Sequence, residues 1–102
     1  MNSRQRMKAA LNFTQPDRPP ADLGSTPNTS ITRIAYRNLR KYLGMSIDKE
    51  PRIVSQGMQV VEVEEDLLKR LRIDTRGVFA NPPDNSRSAT LDDGRKVDEW
   101  GL

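Results

Sequence analysis

Apolar residues never run longer than two or three in a row, and their spacing changes character several times along the chain. Met7, Ala10 and Leu11 recur at helical spacing behind Ser3, which predicts a helix over about residues 4–13 with Arg4, Arg6 and Lys8 on its outer face. Pro16 stops it, and Pro16 to Pro20 forms a rigid turn. Ala21-Asp22-Leu23 reads as a short strand entering a polar loop from Gly24 to Ser30. The clearest element follows, capped by Thr29 or Ser30. Ile31, Ile34, Ala35, Leu39, Tyr42 and Leu43 form its apolar stripe, Arg33, Arg37, Arg40 and Lys41 fill the opposite face, and Gly44 stands just past its end.

The second half is less regular. Asp48 to Pro51 is a linker, and Arg52-Ile53-Val54 is a candidate strand. From Gly57 the pattern turns helical, most strongly over Glu64 to Leu71, with Leu67, Leu68 and Leu71 inward and Glu64, Glu65 and Asp66 in the first turn, where acids suit the helix dipole. Ile73 to Phe79 reads as a strand. Asn81-Pro82-Pro83-Asp84-Asn85 breaks structure over a loop at 81–88, and Asp93-Gly94 between Ala89-Thr90-Leu91 and Val97 signals a hairpin over 89–102. Alternating strands and helices predict an α/β fold with a mainly parallel sheet. Two or three strands do not complete such a sheet, so the chain reads as an incomplete portion of one larger domain.

Composition narrows the chemistry. The 102 residues contain no cysteine and no histidine, which removes thiolate and imidazole catalysis and the usual zinc ligands. No apolar run approaches the ~20 residues of a spanning helix. The N-terminus has no secretory character, so the cytoplasm is the expected location. The net charge is +3, with basic residues gathered before Met45 and acidic ones after it. That leaves open a small basic nucleic-acid-binding module using Arg33, Arg37 and Arg40 on the second helix, although solvated helix faces explain the charges better, the second half is acidic and no recognition-helix motif follows. Glu62, Glu64, Glu65 and Asp66 read as a helix start rather than as acid–base pairs. Four residues stand out as candidate substrate contacts, and no catalytic or metal-binding residue does. Asp22 could orient a ligand or cap a neighbouring loop. Ser25 and Thr26 could present hydroxyls and amides to an anion, or simply shape the turn. Asn81 could contact substrate or form a turn.

Several stretches resemble the uroporphyrinogen decarboxylase family. Ser3 to Asn12 and Pro16 to Gly24 are similar to that family's opening, Tyr36 to Gly44 to its first barrel helix, Val63 to Gly77 with Asp74-Thr75-Arg76-Gly77-Val78 to the following helix and strand, and Asp98-Glu99-Trp100-Gly101 to a motif of its non-decarboxylase branches. The likeness spans nearly the whole chain, in order. It implies a (β/α)8 barrel of which this chain is the N-terminal third, with Ala21-Asp22-Leu23 in the first strand and the Gly24–Ser30 loop at the face where barrel enzymes place their sites. The family acts on tetrapyrroles or corrinoids, either decarboxylating uroporphyrinogen or transferring methyl groups from a corrinoid with zinc. The Gly24–Ser30 loop lacks the decarboxylases' arginines, and Phe79-Ala80-Asn81 carries asparagine where they have aspartate. Asparagine brings no counter-charge for a protonated pyrrole, so the resemblance favours the methyltransferase side. Zinc and corrinoid would then belong to the full-length protein, and the partners would be the rest of the barrel and a corrinoid protein rather than nucleic acid or membrane.

Overall fold

The computed structural model describes residues 1–80 and 89–97, which form a small mixed α/β arrangement. Helix α1 spans Ser3–Leu11. Its cap is Asn2 rather than Ser3: the Asn2 side chain accepts the Gln5 amide and the Gln5 side chain accepts the Asn2 amide, so two otherwise orphaned donors are satisfied. Helix α2 spans Arg33–Tyr42 and begins later than the sequence suggests, because Ile31 and Thr32 are drawn into strand-like pairing. Thr32 forms an antiparallel bridge with Val60, the Arg33 amide donates to the Gln59 carbonyl, and the Val61 amide donates to the Ile31 carbonyl.

Strand β1, Ile53–Ser55, pairs antiparallel with β2, Val60–Val61, and the register slips between Ile53 and Ser55. The segment after Gly57 is therefore turn and strand where helix was expected. Val60, Val61 and Val63 explain the difference, since β-branched side chains lose rotamer freedom in a helix and pack well on a pleated surface. Helix α3 is confined to Glu65–Arg70. Ala21–Leu23 and Ile73–Phe79 are extended but join no sheet; a single backbone bond links them, from the Asp74 amide to the Ala21 carbonyl. Strand β3, Ala89–Thr90, pairs antiparallel with β4, Lys96–Val97, around Asp93 and a Gly94 with φ +86°. The strand pairs among the described residues are antiparallel, not parallel. Asn81 and the rest of the expected 81–88 loop, with the Asp98–Gly101 motif, lie outside the described residues.

The core is one cluster of Tyr36, Val61, Val63, Leu67 and Leu68, with Leu23, Ile31, Leu39, Leu43, Met45, Ile53 and Ile73 packed at its margin. Of the stripe its sequence predicts for α2, Ile31, Leu39 and Leu43 pack against the core, while Ile34 and Tyr42 do not. Tyr36 is buried, Ile34 is 70% exposed and Tyr42 is 86% exposed. Arg40, expected in solvent, is buried: its guanidinium forks onto Asp66 with two 2.8 Å bonds and Nε donates to the Ser46 carbonyl at 2.6 Å. No side chain of α1 belongs to the core cluster.

All three helices end the same way. In each, the amide two residues past the last turn closes a six-residue loop: Thr14 to Ala9, Met45 to Arg40 and Ile73 to Leu68. This ending needs a left-handed residue, supplied by Phe13 (φ 56°), Gly44 (φ 73°) and Arg72 (φ 56°). Glycine stands at only one of them.

Candidate functional site

Two regions gather chemistry-bearing side chains. The first is built around Asp74, which α3's end delivers beside the Pro16–Leu23 arm. Its side chain is fully enclosed. It accepts the Ala21 amide at 2.8 Å, the Ser3 hydroxyl at 2.8 Å, Arg6 Nη1 at 2.5 Å and Arg18 Nη1 at 2.8 Å. Arg6, predicted outward, is instead buried, and its other edge grips Asp17 through Nε at 2.8 Å and Nη2 at 3.0 Å. The Ala21 amide, joined by Ser3, Arg6 and Arg18, holds the Asp74 carboxyl well below the ordinary range despite its burial. Arg6 and the Arg18 amide likewise lower Asp17, to about 2. Each carboxylate oxygen here accepts from at least one arginine.

The second region is a cavity of about 660 Å³. One wall is the glycine-shaped turn at Leu23–Gly24 against Val63; the other runs from Thr75 to Phe79. Gly24 has φ +85°, and a Cβ on it would stand 2.9 Å from Val63 Cγ2. A Cβ on Gly77 would press on the Phe79 ring at 2.7 Å and the Ser25 carbonyl at 2.9 Å. Both glycines therefore permit a close backbone approach that any side chain would open.

Acids line the cavity, and among the described residues all but Glu50 are paired. Glu62 pairs with Arg52 at 3.7 Å, Glu64 with Lys49 at 3.7 Å and Glu65 with Arg76 at 2.9 Å. With Asp66 on Arg40, each acid of the run meets a cation from a different segment. Arg76 holds the Glu65 carboxyl below its ordinary value. The run is thus a helix start whose charges are individually compensated. It offers polar contacts to a ligand without a group poised to exchange protons.

The sequence-derived candidates sit beside this cavity. Asp22 accepts the Ser25 amide at 3.2 Å, the Ser25 hydroxyl at 2.8 Å and the Thr75 hydroxyl. Burial works to raise its carboxyl, and the hydroxyls of Thr75, Ser25 and Thr29 outweigh it, leaving the pKa lowered. Thr26 and Thr29 cap each other around the 3-10 turn Pro27–Thr29, each side chain bonding the other's amide. Asp22 and Ser25 are therefore brought together, Thr75 connects them to the cavity wall, and Thr26 is spent on its own turn. Asn81 lies outside the described residues. Sequence reasoning missed Lys49, Arg52 and Arg76, whose only signal was a basic residue some distance from each acid.

No zinc ligand of the histidine or cysteine kind exists in the chain. Among the described residues no group of three or more acids stands close enough together to hold a metal ion, so the residues present do not fit the zinc that the resemblance implies. No helix among them is long and apolar enough to cross a membrane. Compared with known protein families, curated proteins and solved structures, the chain finds no match.

Proposed function

We propose that this chain is the N-terminal part of a uroporphyrinogen decarboxylase-family barrel protein of the cytoplasm that acts on a tetrapyrrole or corrinoid, with methyl transfer from a corrinoid as the reaction and uroporphyrinogen decarboxylation as the alternative. Its own contribution is to bind and position, with the reacting groups supplied elsewhere in the protein. One observation carries the reading. Three stretches that resemble the family, Ser3–Asn12, Pro16–Gly24 and Asp74–Val78, meet in a single ion cluster around the buried Asp74, through Ser3, Arg6, Asp17, Arg18 and Ala21. Motifs assembled by coincidence have no reason to be mutual partners. Exposed apolar side chains add support, because Phe13 and Val78 are 100% and 98% accessible and stand ready to be covered by further structure.

The nucleic-acid reading loses a contact. Of Arg33, Arg37 and Arg40, the last is buried on Asp66 and unavailable to phosphate.

The test is the protein as its gene encodes it, read through any frame downstream of Leu102 and assayed for two activities. Methyl transfer from a methylated corrinoid to a thiol, with a histidine and cysteines in the added sequence, is the expected result. Carbon dioxide release from uroporphyrinogen without such ligands would select the alternative. A stop codon directly after Leu102, with neither activity, would overturn the reading.

A further inference from the structure

A second, smaller cavity of about 200 Å³ lies over α2. Arg33, Arg37 and Asn38 line it, with Arg33 and Arg37 one helical turn apart on the same face. The segment from Ile47 to Pro51 lines it too, as do buried Tyr36 and Arg40.

Its charge balance differs from that of the large cavity. There, Arg52, Arg76 and Lys49 each meet a glutamate. Here Arg33 and Arg37 have no ion pair among the described residues, and Arg40 is already neutralised by Asp66. Glu50 is the one acid lining the groove, set against Arg33, Arg37, Arg40 and Lys49, of which Lys49 reaches Glu64 at 3.7 Å. Two planar guanidinium forks and a carboxamide thus converge on a space with surplus positive charge. The same space has apolar flanks in Ile34, Ile47 and Pro51. Ile34 is 70% exposed in the middle of this basic face, where a solvated helix surface has no use for it.

We propose that this groove binds a small organic anion, a carboxylate or phosphate monoester carried on an apolar body. The acid oxygens take the Arg33 and Arg37 forks, which match such groups two bonds at a time. The apolar body lies against Ile34, Ile47 and Pro51. The proposal goes beyond the barrel reading and does not depend on it.

Titration of the full chain with benzoate and with phenyl phosphate, followed by calorimetry and by the methyl resonances of Ile34 and Ile47, tests it. Inorganic phosphate and benzyl alcohol serve as the halves of the ligand. At least one of the two aromatic anions saturates at low millimolar concentration or below, shifts both isoleucine methyls, and binds more tightly than either half; the better one identifies the acid group. Arg33→Ala and Arg37→Ala each weaken it about tenfold or more. Both positions are exposed, so the circular dichroism of the variants stays that of the parent. Arg70→Ala, an exposed arginine on α3, leaves binding unchanged. Absence of saturation with both anions, equal binding of inorganic phosphate, or equal losses from Arg70→Ala and Arg33→Ala would each overturn the assignment.

Discussion

Among the described residues three charged side chains are buried; Arg6 is a partner of Asp74, and Asp74 and Arg40 are held in opposite ways. Asp74 is an enclosed anion whose partners come from α1, from the Pro16–Leu23 arm and from the backbone. Arg40 is an enclosed cation whose main partner, Asp66, is half exposed, and which lies 5.6 Å from the Tyr36 ring within a hydrophobic cluster. Remove Arg40 and the apolar packing around Tyr36, Leu67 and Val61 still joins α2 to β2 and α3. Remove Asp74 and the Arg6–Asp17 pair still ties α1 to the Pro16–Leu23 arm, but no α1 side chain enters the apolar cluster. A buried ion pair counts for most where no apolar contact shares its task. Losing one member of such a pair costs more than exchanging a cation for an apolar side chain of similar bulk.

The largest expected effect is accordingly at Asp74. Asp74→Ala leaves Arg6 Nη1 and the Ala21 amide without their acceptor and lowers unfolding stability by about 3 kcal/mol in urea denaturation. Arg40→Met keeps the stem's packing, gives up the fork onto Asp66 and costs about 1 kcal/mol by the same measurement. Equal losses would erase the distinction between the two centres.

Acid should separate them next. A carboxylate whose folded pKa lies below its unfolded value contributes stability above the unfolded value and loses it as pH falls through the folded one. Asp17 falls from 3.8 to about 2, and Asp74 is lowered further. Stability should therefore decline from about pH 4 down through about pH 2. With no histidine in the chain, it should stay level between about pH 5 and 8. Thermal unfolding across this range checks both halves, and the acid decline should shrink in Asp74→Ala while persisting in Arg40→Met.

The helix ends give the smallest effects, with opposite signs. Phe13 and Arg72 occupy left-handed positions that suit glycine, so Phe13→Gly and Arg72→Gly should each raise stability by about 0.5–1 kcal/mol. Gly44→Ala should lower it by about 1 kcal/mol, for conformational reasons alone, because a Cβ there meets nothing within 4 Å.

What could be read from the sequence was local. The end of α2 at Gly44, the acidic start of α3 and the Asp93-Gly94 turn each rest on neighbours within a few residues. The Asn2–Gln5 capping box was equally local and was passed over for Ser3, one position away. The buried arginines were not legible. Helical periodicity cannot distinguish an arginine in solvent from one whose partner lies far along the chain, as Asp74 does for Arg6 and Asp66 for Arg40. The α2 stripe is right at Ile31, Leu39 and Leu43 and wrong at Ile34 and Tyr42, which are exposed while Tyr36 and Arg40 are buried. Ser25 and Thr26 fall in the expected loop, whereas Asp22, expected in a strand, joins none, and its carboxylate also takes the hydroxyl of Thr75 from across the fold.

Native-state hydrogen exchange on Asp74→Ala tests most directly whether Asp74 fastens α1 to the rest. A nine-residue helix is marginal by itself. The α1 amides of Ala10 and Leu11, and that of Asn12 at its end, should lose their protection, while Tyr36 and Leu39 in α2 keep theirs. Undiminished protection in α1, or simultaneous loss in both helices, would contradict it.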